Sequence, residues 1–346
     1  MAFRFETPLK KKAERIDAVR KGVREVPAEI GKATWLRALC LTDNPLEALP
    51  TEIGGCASLR ELWLGDTKLR ALPESLTRLE HLEILSLART ELEELPEWVG
   101  ALSSLQMLHL GGARFARLAP AVGRLAKLET LSIEPSSRVK SLPDAIGALP
   151  ALRTLSVCDG ALARLPSLRG CRALESVRLY GQPALDWASV TDALADLPSL
   201  DTLLLGGGKG KKLAPSVGRL TALTSLYAQD AGLVDLPAEL SGCAALQEVD
   251  LAGNPLRAAP GVLSELPELR SLVLSRCARI DWDRSGLERL TELTSLTLAE
   301  CGLDRVPAGL ERLTKLRDLH LAGNAIPPAA IRRLRKALPE CDVTLK

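Results

Sequence analysis

Leucine recurs along this chain in a fixed cadence. Between residues 59 and 81, Leu59, Leu62 and Leu64 come at spacings of three and two, then Leu69, Leu72–Pro73, Leu76 and Leu79 follow, and at Leu82 the cadence restarts. The two-residue step puts Leu62 and Leu64 on one side of a strand. The later three- and four-residue steps predict a short helical, 3₁₀ or extended return. One copy has too little apolar surface to close a core, so its leucines can be buried only against the copies on either side. Copies start at Leu36, Leu59, Leu82, Leu105, Leu128, Leu152, Leu174, Leu200, Leu223, Leu246, Leu269 and Leu293, with a truncated one at Leu316. Most steps are 23 residues; the shortest, from Leu152, is 22 and the longest, from Leu174, is 26.

The ends break the cadence. Thr7 and Pro8 suit a helix start and Gly22 a stop, so Leu9–Lys21 is expected to be helical. Residues 1–22 then form an N-terminal helical cap, 23–35 a partial repeat and 36–326 about 12–13 repeats. Residues 327–346 form a C-terminal helical cap, in which Ile331, Leu334 and Leu338 share one side and Arg332, Arg333, Arg335 and Lys336 the other. The Leu–Pro pair slips by one residue at Leu118–Ala119–Pro120 and Leu213–Ala214–Pro215, where the outer backbone is expected to change.

The segment Trp35 to Gly54 carries Leu36, Leu39, Leu41, Asn44, Leu46, Leu49–Pro50 and Ile53–Gly54. This resembles the leucine-rich repeat, in its 23-residue Leu-Pro-x-x-Ile-Gly form, found in plant intracellular Ras-group proteins and in bacterial cytoplasmic and effector proteins. The resemblance covers roughly residues 23–338. It implies an α/β repeat solenoid, a horseshoe with a parallel β-sheet on the concave face and short helical, 3₁₀ or extended returns on the convex face. It also implies an Asn column that bonds the turns. Asn44, Asn254 and Asn324 keep it; Thr67, Thr90, Ser136, Cys277 and Cys301 offer weaker bonding, and Ala113, Gly160 and Ala231 offer no side-chain bond.

Composition narrows the function. With 46% hydrophobic and 25% charged residues the chain is globular, and with 3% aromatics leucine fills the core. The net charge of +2 gives no general pull toward nucleic acid or a membrane surface. The start has no signal-peptide run and nowhere do eighteen apolar residues follow one another, so a soluble cytoplasmic protein is expected, export by a non-cleaved signal aside. Cys56, Cys171 and Cys243 stand in leucine slots and no C-x-x-C pair exists, which points to reduced, buried thiols and not to zinc.

The outward column equivalent to Trp63 runs Cys40, Trp63, Ser86, His109, Ser132, Ser156, Arg178, Leu204, Tyr227, Asp250, Val273, Thr297, His320. A purely structural face would be small and polar; aromatics and arginine are the usual anchors of interfaces. The candidate protein-binding residues are therefore Trp63, Met107, His109, Arg178, Tyr180, Leu204, Tyr227, Gln229, Asp230 and Asp250, densest from Arg178 to Asp230. Acidic residues outnumber basic ones on this face, which disfavours a phosphate backbone and suits a partner with basic spots. No small-molecule substrate is expected. Gly206–Lys212 lacks P-loop spacing and reads as a mobile basic loop, forming with Gln182–Trp187 a lateral lip beside Tyr180 that orders on binding. His81, His109 and His320 are too scattered for a metal or a triad. Cys40 is the one cysteine expected on the concave face, a weak nucleophile with no His nearby in its column. No catalytic residue, metal or cofactor is assigned. The expected function is a non-enzymatic protein-interaction scaffold, with a bacterial effector-like module recruiting a host protein as the alternative.

Overall fold

The structure, a computed structural model, describes residues 3–112, 114–135, 138–208, 210–257, 261–282 and 286–345. The chain divides into two units, one ending at Leu174 and the other starting at Glu175. The first holds strands β1 (Arg15–Asp17), β2 (Ala38–Cys40), β3 (Glu61–Trp63), β4 (Ile84–Ser86), β5 (Met107–His109), β6 (Thr130–Ile133) and β7 (Thr154–Val157). Each is parallel to the next in chain order. The second holds β8 (Ser176–Tyr180), β9 (Thr202–Gly206), β10 (Ser225–Tyr227), β11 (Glu248–Asp250), β12 (Ser271–Val273), β13 (Ser295–Thr297), β14 (Asp318–His320) and β15 (Asp342–Thr344), again parallel and consecutive. Each unit is thus a stretch of open parallel sheet with short 3₁₀ returns.

The register explains the cadence. Ile16, Leu39, Leu62, Leu85, Leu108, Leu131 and Leu155 are successive partners across the first unit, each buried. Val177, Leu203, Leu226, Val249, Leu272, Leu296, Leu319 and Val343 do the same across the second. Identical in-register apolar rows let each coil complete its neighbour's core.

The expected N-terminal helix over Leu9–Lys21 is not formed. A helix α1 spans only Glu6–Lys10, and residues 15–17 are β1, hydrogen-bonded to β2. The reason lies in spacing: Ala13, Ile16, Ala18, Val23 and Val26–Pro27 stand 23 residues before Leu36, Leu39, Leu41, Leu46 and Leu49–Pro50. Ile16 and Ala18 are buried at 1% and 0% exposure, and that burial outweighs the local helical preference. Positive φ at Arg20 and Gly22 then turns the chain as in later repeats.

In the first complete repeat Pro50 is extended (φ −69°, ψ 147°) and starts the return Thr51–Gly55, a 3₁₀ helix. A Cβ on Gly54 would lie 2.9 Å from Ser75 Cβ in the next return, so glycine is what lets adjacent returns stack this closely. The shifted prolines do not alter this backbone, contrary to the sequence expectation. Ala119 (φ −61°, ψ 132°) and Ala214 (φ −74°, ψ 156°) fill the extended slot, and Pro120 and Pro215 begin ordinary 3₁₀ returns. Proline at the first helical position has no N–H to lose there. The two alanines differ in one respect: Ala214 N–H donates to buried Thr191 Oγ1 at 2.9 Å, whereas Ala119 N–H meets no such acceptor among the described residues. Urea unfolding is expected to show Ala119→Pro stabilised by about 0.4–1 kcal/mol through the unfolded chain, and Ala214→Pro destabilised by about 1–3 kcal/mol through the orphaned Thr191.

Cys56, Cys171 and Cys243 sit in the leucine slots after the returns, and their thiols donate to Ile30 O, Ile146 O and Val217 O, each at 3.1 Å. Burial pushes Cys56 up to about 12 and Cys243 to about 11, so they remain neutral thiols. In the Asn column, Asn44 Nδ2 donates to Ala18 O (2.8 Å) and Leu41 O (2.7 Å), while its Oδ1 accepts from Lys21 N (3.1 Å) and Val23 N (2.9 Å). Asn254 and Asn324 repeat the pattern. Thr67 and Thr90 keep one bond each, to Leu64 O and Leu87 O. Cys277 and Cys301 reach back to Leu251 O (3.4 Å) and Leu274 O (3.1 Å) as the asparagines do. The expectations for Ala113 and Ser136 lie outside the described residues.

The 26-residue step is a helix, α2 (Trp187–Leu194), whose N-cap Asp186 accepts from Ser189 N at 3.1 Å. Trp187 is no part of a lip. It is fully buried, its indole N–H donating to Ala231 O at 2.9 Å. Its ring fills the space a Cβ would take at Gly208, and a Cβ on Gly210 would lie 2.5 Å from Trp187 N. The glycines expected to loosen a basic loop instead make room for this side chain; Lys209 lies outside the described residues.

The C-terminal helix forms as expected: α3 spans Pro328–Ala337 with Ile331 and Leu334 buried. Beyond it the chain adds β15, which the sequence reading had assigned to the cap. Arg335 of α3 donates to Val343 O at 2.7 Å, on the side of β15 turned away from β14.

Candidate functional site

In a strand with period two, the residues flanking each buried leucine face outward. The register brings Cys40, Trp63, Ser86, His109, Ser132 and Ser156 into one row of the first unit. Arg178, Leu204, Tyr227, Asp250, Val273, Thr297 and His320 form the matching row of the second. The candidate residues thus fall on the outward rows of each unit.

On the first unit, the Trp63 and His109 rings stack across Ser86 with centroids 6.1 Å apart and planes 23° apart. Ser86 beneath them is only 7% exposed. Trp63 Nε1 donates to Glu61 Oε2 at 3.1 Å, and Arg15 donates to the same oxygen at 3.2 Å. Met107 and Ile84 are partners in the adjoining row. Ile84 was not singled out from the sequence, although its spacing from Leu85 already made it outward. Burial lowers the His109 pKa, opposed by the nearby Glu134 carboxylate. The unfolded chain therefore holds this proton at pH values just below the usual imidazole range where the folded chain does not. Stability of this unit is expected to rise with pH through that window and level off above it, and His109→Gln to remove that part of the slope in pH-dependent urea melts.

After most strands the chain turns through a positive-φ position occupied by Asp43, Asp66, Arg89, Asp230, Arg276 or Glu300 as well as by glycine. These side chains pair across repeats: Arg20 with Asp43 at 2.5 Å, and Arg89 Nη2 with Asp66 Oδ2 at 2.6 Å. The Arg89 guanidinium holds the Asp66 carboxyl below its ordinary value. An open groove of about 600 Å³ runs along the turns at Asp43, Asp66 and Arg89.

On the second unit, Tyr180 is 44% exposed, unusual for so large an apolar side chain here. A Cβ on Gly206 would lie 2.6 Å from Tyr180 Cδ2, so the ring lies over that glycine. Leu204 and Tyr227 are half-buried beside it, Arg178 and Glu248 exposed. Tyr227 Oη donates to Glu248 Oε2 at 2.5 Å, which raises the phenol pKa and keeps it a donor. Gln229 donates to Asp250 Oδ2, and Asp250 Oδ1 accepts from Ala252 N at 2.9 Å. Asp230 is paired with Arg276 at 3.0 Å. The surface is aromatic at the centre, positive at Arg178 and negative at Glu248 and Asp250. Glu248 was not among the candidates; its hydrogen bond from Tyr227 is what brings it in.

Cys40 is 4% exposed, accepts from Arg15 Nη2 at 3.1 Å, and has its thiol pushed up by burial, which leaves little thiolate for nucleophilic attack. His81 and His320 are exposed on different faces of the repeat. Among the described residues, no group of three or more His, Cys, Asp and Glu side chains converges as a metal site. Among them, too, no helix is long and apolar enough to cross a membrane.

Known proteins share this architecture. A family model described as a leucine-rich repeat region matches residues 74–178. The Protein flightless-1 homolog of Caenorhabditis elegans is 34% identical over 101 residues, 28% of this chain; the match spans 8% of that relative. A leucine-rich repeat protein of Leptospira interrogans superposes with a TM-score of 0.77 at 24% identity, over 99% of this chain and 98% of that one. The plant peptide hormone receptor RGFR1, in complex with RGF2, superposes with a TM-score of 0.54 at 21% identity, over 93% and 64%. With its 23-residue coils, consecutive parallel strands, 3₁₀ returns and asparagine-bonded turns, the chain has the leucine-rich repeat fold, and residues 74–178 match the family model itself.

Proposed function

We propose that the chain is a non-enzymatic scaffold that binds a partner protein on the outward face of its sheet. Leucine-rich repeats generally serve as interaction scaffolds, and RGFR1, a plant peptide hormone receptor, is in complex with RGF2. The main contact surface is the second unit's Arg178, Tyr180, Leu204, Tyr227, Gln229, Asp230 and Asp250, and the first unit contributes Trp63, Met107 and His109. The observation that carries this reading is the exposed Tyr180 ring beside Leu204 and Tyr227, in strands whose other outward positions are mostly serine, threonine and acidic residues. Solvated aromatic area of this kind is what interfaces bury. The buried neutral thiols suit a reducing compartment, and we place the protein in the cytoplasm.

A pull-down from a lysate of the native host compares wild type with Tyr180→Ala/Tyr227→Ala. The double variant is expected to lose the wild-type partner, with a cost of about 2–4 kcal/mol per anchor. Equal recovery of every partner would move the site elsewhere.

A further inference from the structure

The second unit's surface is polarised along one line, and the polarity specifies what fits it. Arg178, Leu204, Tyr227 and Asp250 are successive register partners on β8, β9, β10 and β11. Three interstrand steps of about 4.8 Å separate the ends of that row by about 14 Å. Arg178 supplies a guanidinium at one end. At the other, Asp250 stands beside Glu248, and the donors that reach these carboxylates from within the unit, Tyr227 Oη, the Gln229 amide and Ala252 N–H, are all neutral, while Arg276, whose charge also acts on Asp250, is bonded to Asp230. Negative charge at that end is therefore hydrogen-bonded but not cancelled by those donors. Between the ends lie the half-buried Leu204 and Tyr227, with the exposed Tyr180 ring alongside.

We propose that this row binds an extended protein segment running across the strands, with a carboxylate side chain on Arg178, an apolar side chain over Leu204 and Tyr227, and a lysine or arginine on Asp250 and Glu248. The reading rests on the protein-binding function proposed above and adds the chemistry of the partner. An extended chain advances about 3.3 Å per residue, so residues i and i+4 lie about 13 Å apart and point the same way, with i+2 between them. That matches the row's length and its order of positive, apolar and negative. An Asp or Glu, an apolar residue and a Lys or Arg at alternate positions would satisfy all three in either chain direction. A compact helical partner rises only about 6 Å over the same four residues and would leave one end unmet.

The test is selection of a phage-displayed library of random twelve-residue peptides on the full chain. Wild type is expected to enrich peptides with one acidic and one basic residue four apart and an apolar residue midway. Arg178→Glu, an exposed substitution whose folding is checked by circular dichroism, leaves the row negative at both ends. It should enrich peptides basic at both positions and weaken the wild-type peptides about fivefold. Arg178→Gln should drop the acidic requirement alone. Peptides without the charge spacing, a pattern unchanged on Arg178→Glu, or no enriched peptide on wild type would each overturn the proposal. The pull-down with Tyr180→Ala/Tyr227→Ala decides separately whether this surface binds a protein at all.

Discussion

Replacing Trp187 by alanine is expected to cost the second unit about 3–5 kcal/mol, the range for emptying a buried aromatic site. The side chain is fully buried and its indole N–H is satisfied by Ala231 O, so alanine removes both the packing and the bond. Collapse around the void is limited, because Gly208 and Gly210 have no side chains to move into it. Urea denaturation followed by circular dichroism measures the loss. Tyr180→Ala, on the exposed face, should change stability by less than about 1 kcal/mol in the same assay. A double-mutant cycle separates fit from simple burial: Gly208→Ala should be costly in wild type, where its Cβ meets the indole, and much cheaper in the Trp187→Ala background. Additive costs would mean that the glycine is there for another reason.

Asn254→Ala carries the second large effect, about 3–5 kcal/mol. Its Oδ1 accepts from Leu233 N at 2.9 Å and its Nδ2 donates to Ala228 O and Leu251 O, both at 2.7 Å, all in a residue 1% exposed. Alanine leaves the Leu233 amide and the Ala228 carbonyl without partners, each costing about 1–3 kcal/mol before relaxation, and leaves Leu251 O only its longer bonds from Asn254 N and Cys277 Sγ, both at 3.4 Å. Thr67→Ala removes a single bond, to Leu64 O, and should cost about 1 kcal/mol. A matching loss for the two variants in urea melts would show that the asparagine does not tie successive coils together.

The repeat was legible because burial has a period and Leu62, Leu64 and their equivalents declare it. The N-terminal coil was missed because Ala13 and Ala18 stand where leucine was sought, while Thr7, Pro8 and a run of basic residues imitate a helix. Its signal was the 23-residue offset to Leu36, Leu39 and Leu41, which alanine satisfies by size more weakly than leucine does. Outward positions in the strands followed directly from alternation, so the Trp63 and Arg178 rows were placed correctly by sequence. What spacing could not convey was a contact between distant segments. Gly208 and Gly210 look like flexibility until Trp187, more than twenty residues earlier, is seen lying against them. Glu248 entered the site for the same reason, through a hydrogen bond from Tyr227 of the neighbouring coil.

An open parallel sheet ends in a strand with vacant main-chain groups, and a row of such groups is a template on which further chains can assemble. On the edge of β15 turned away from β14, the Val343 carbonyl already accepts from the Arg335 guanidinium. A newcomer seeking to extend the array would have to displace a charged donor before gaining its first bond. Pairing of a second chain onto this edge of β15 is thereby discouraged.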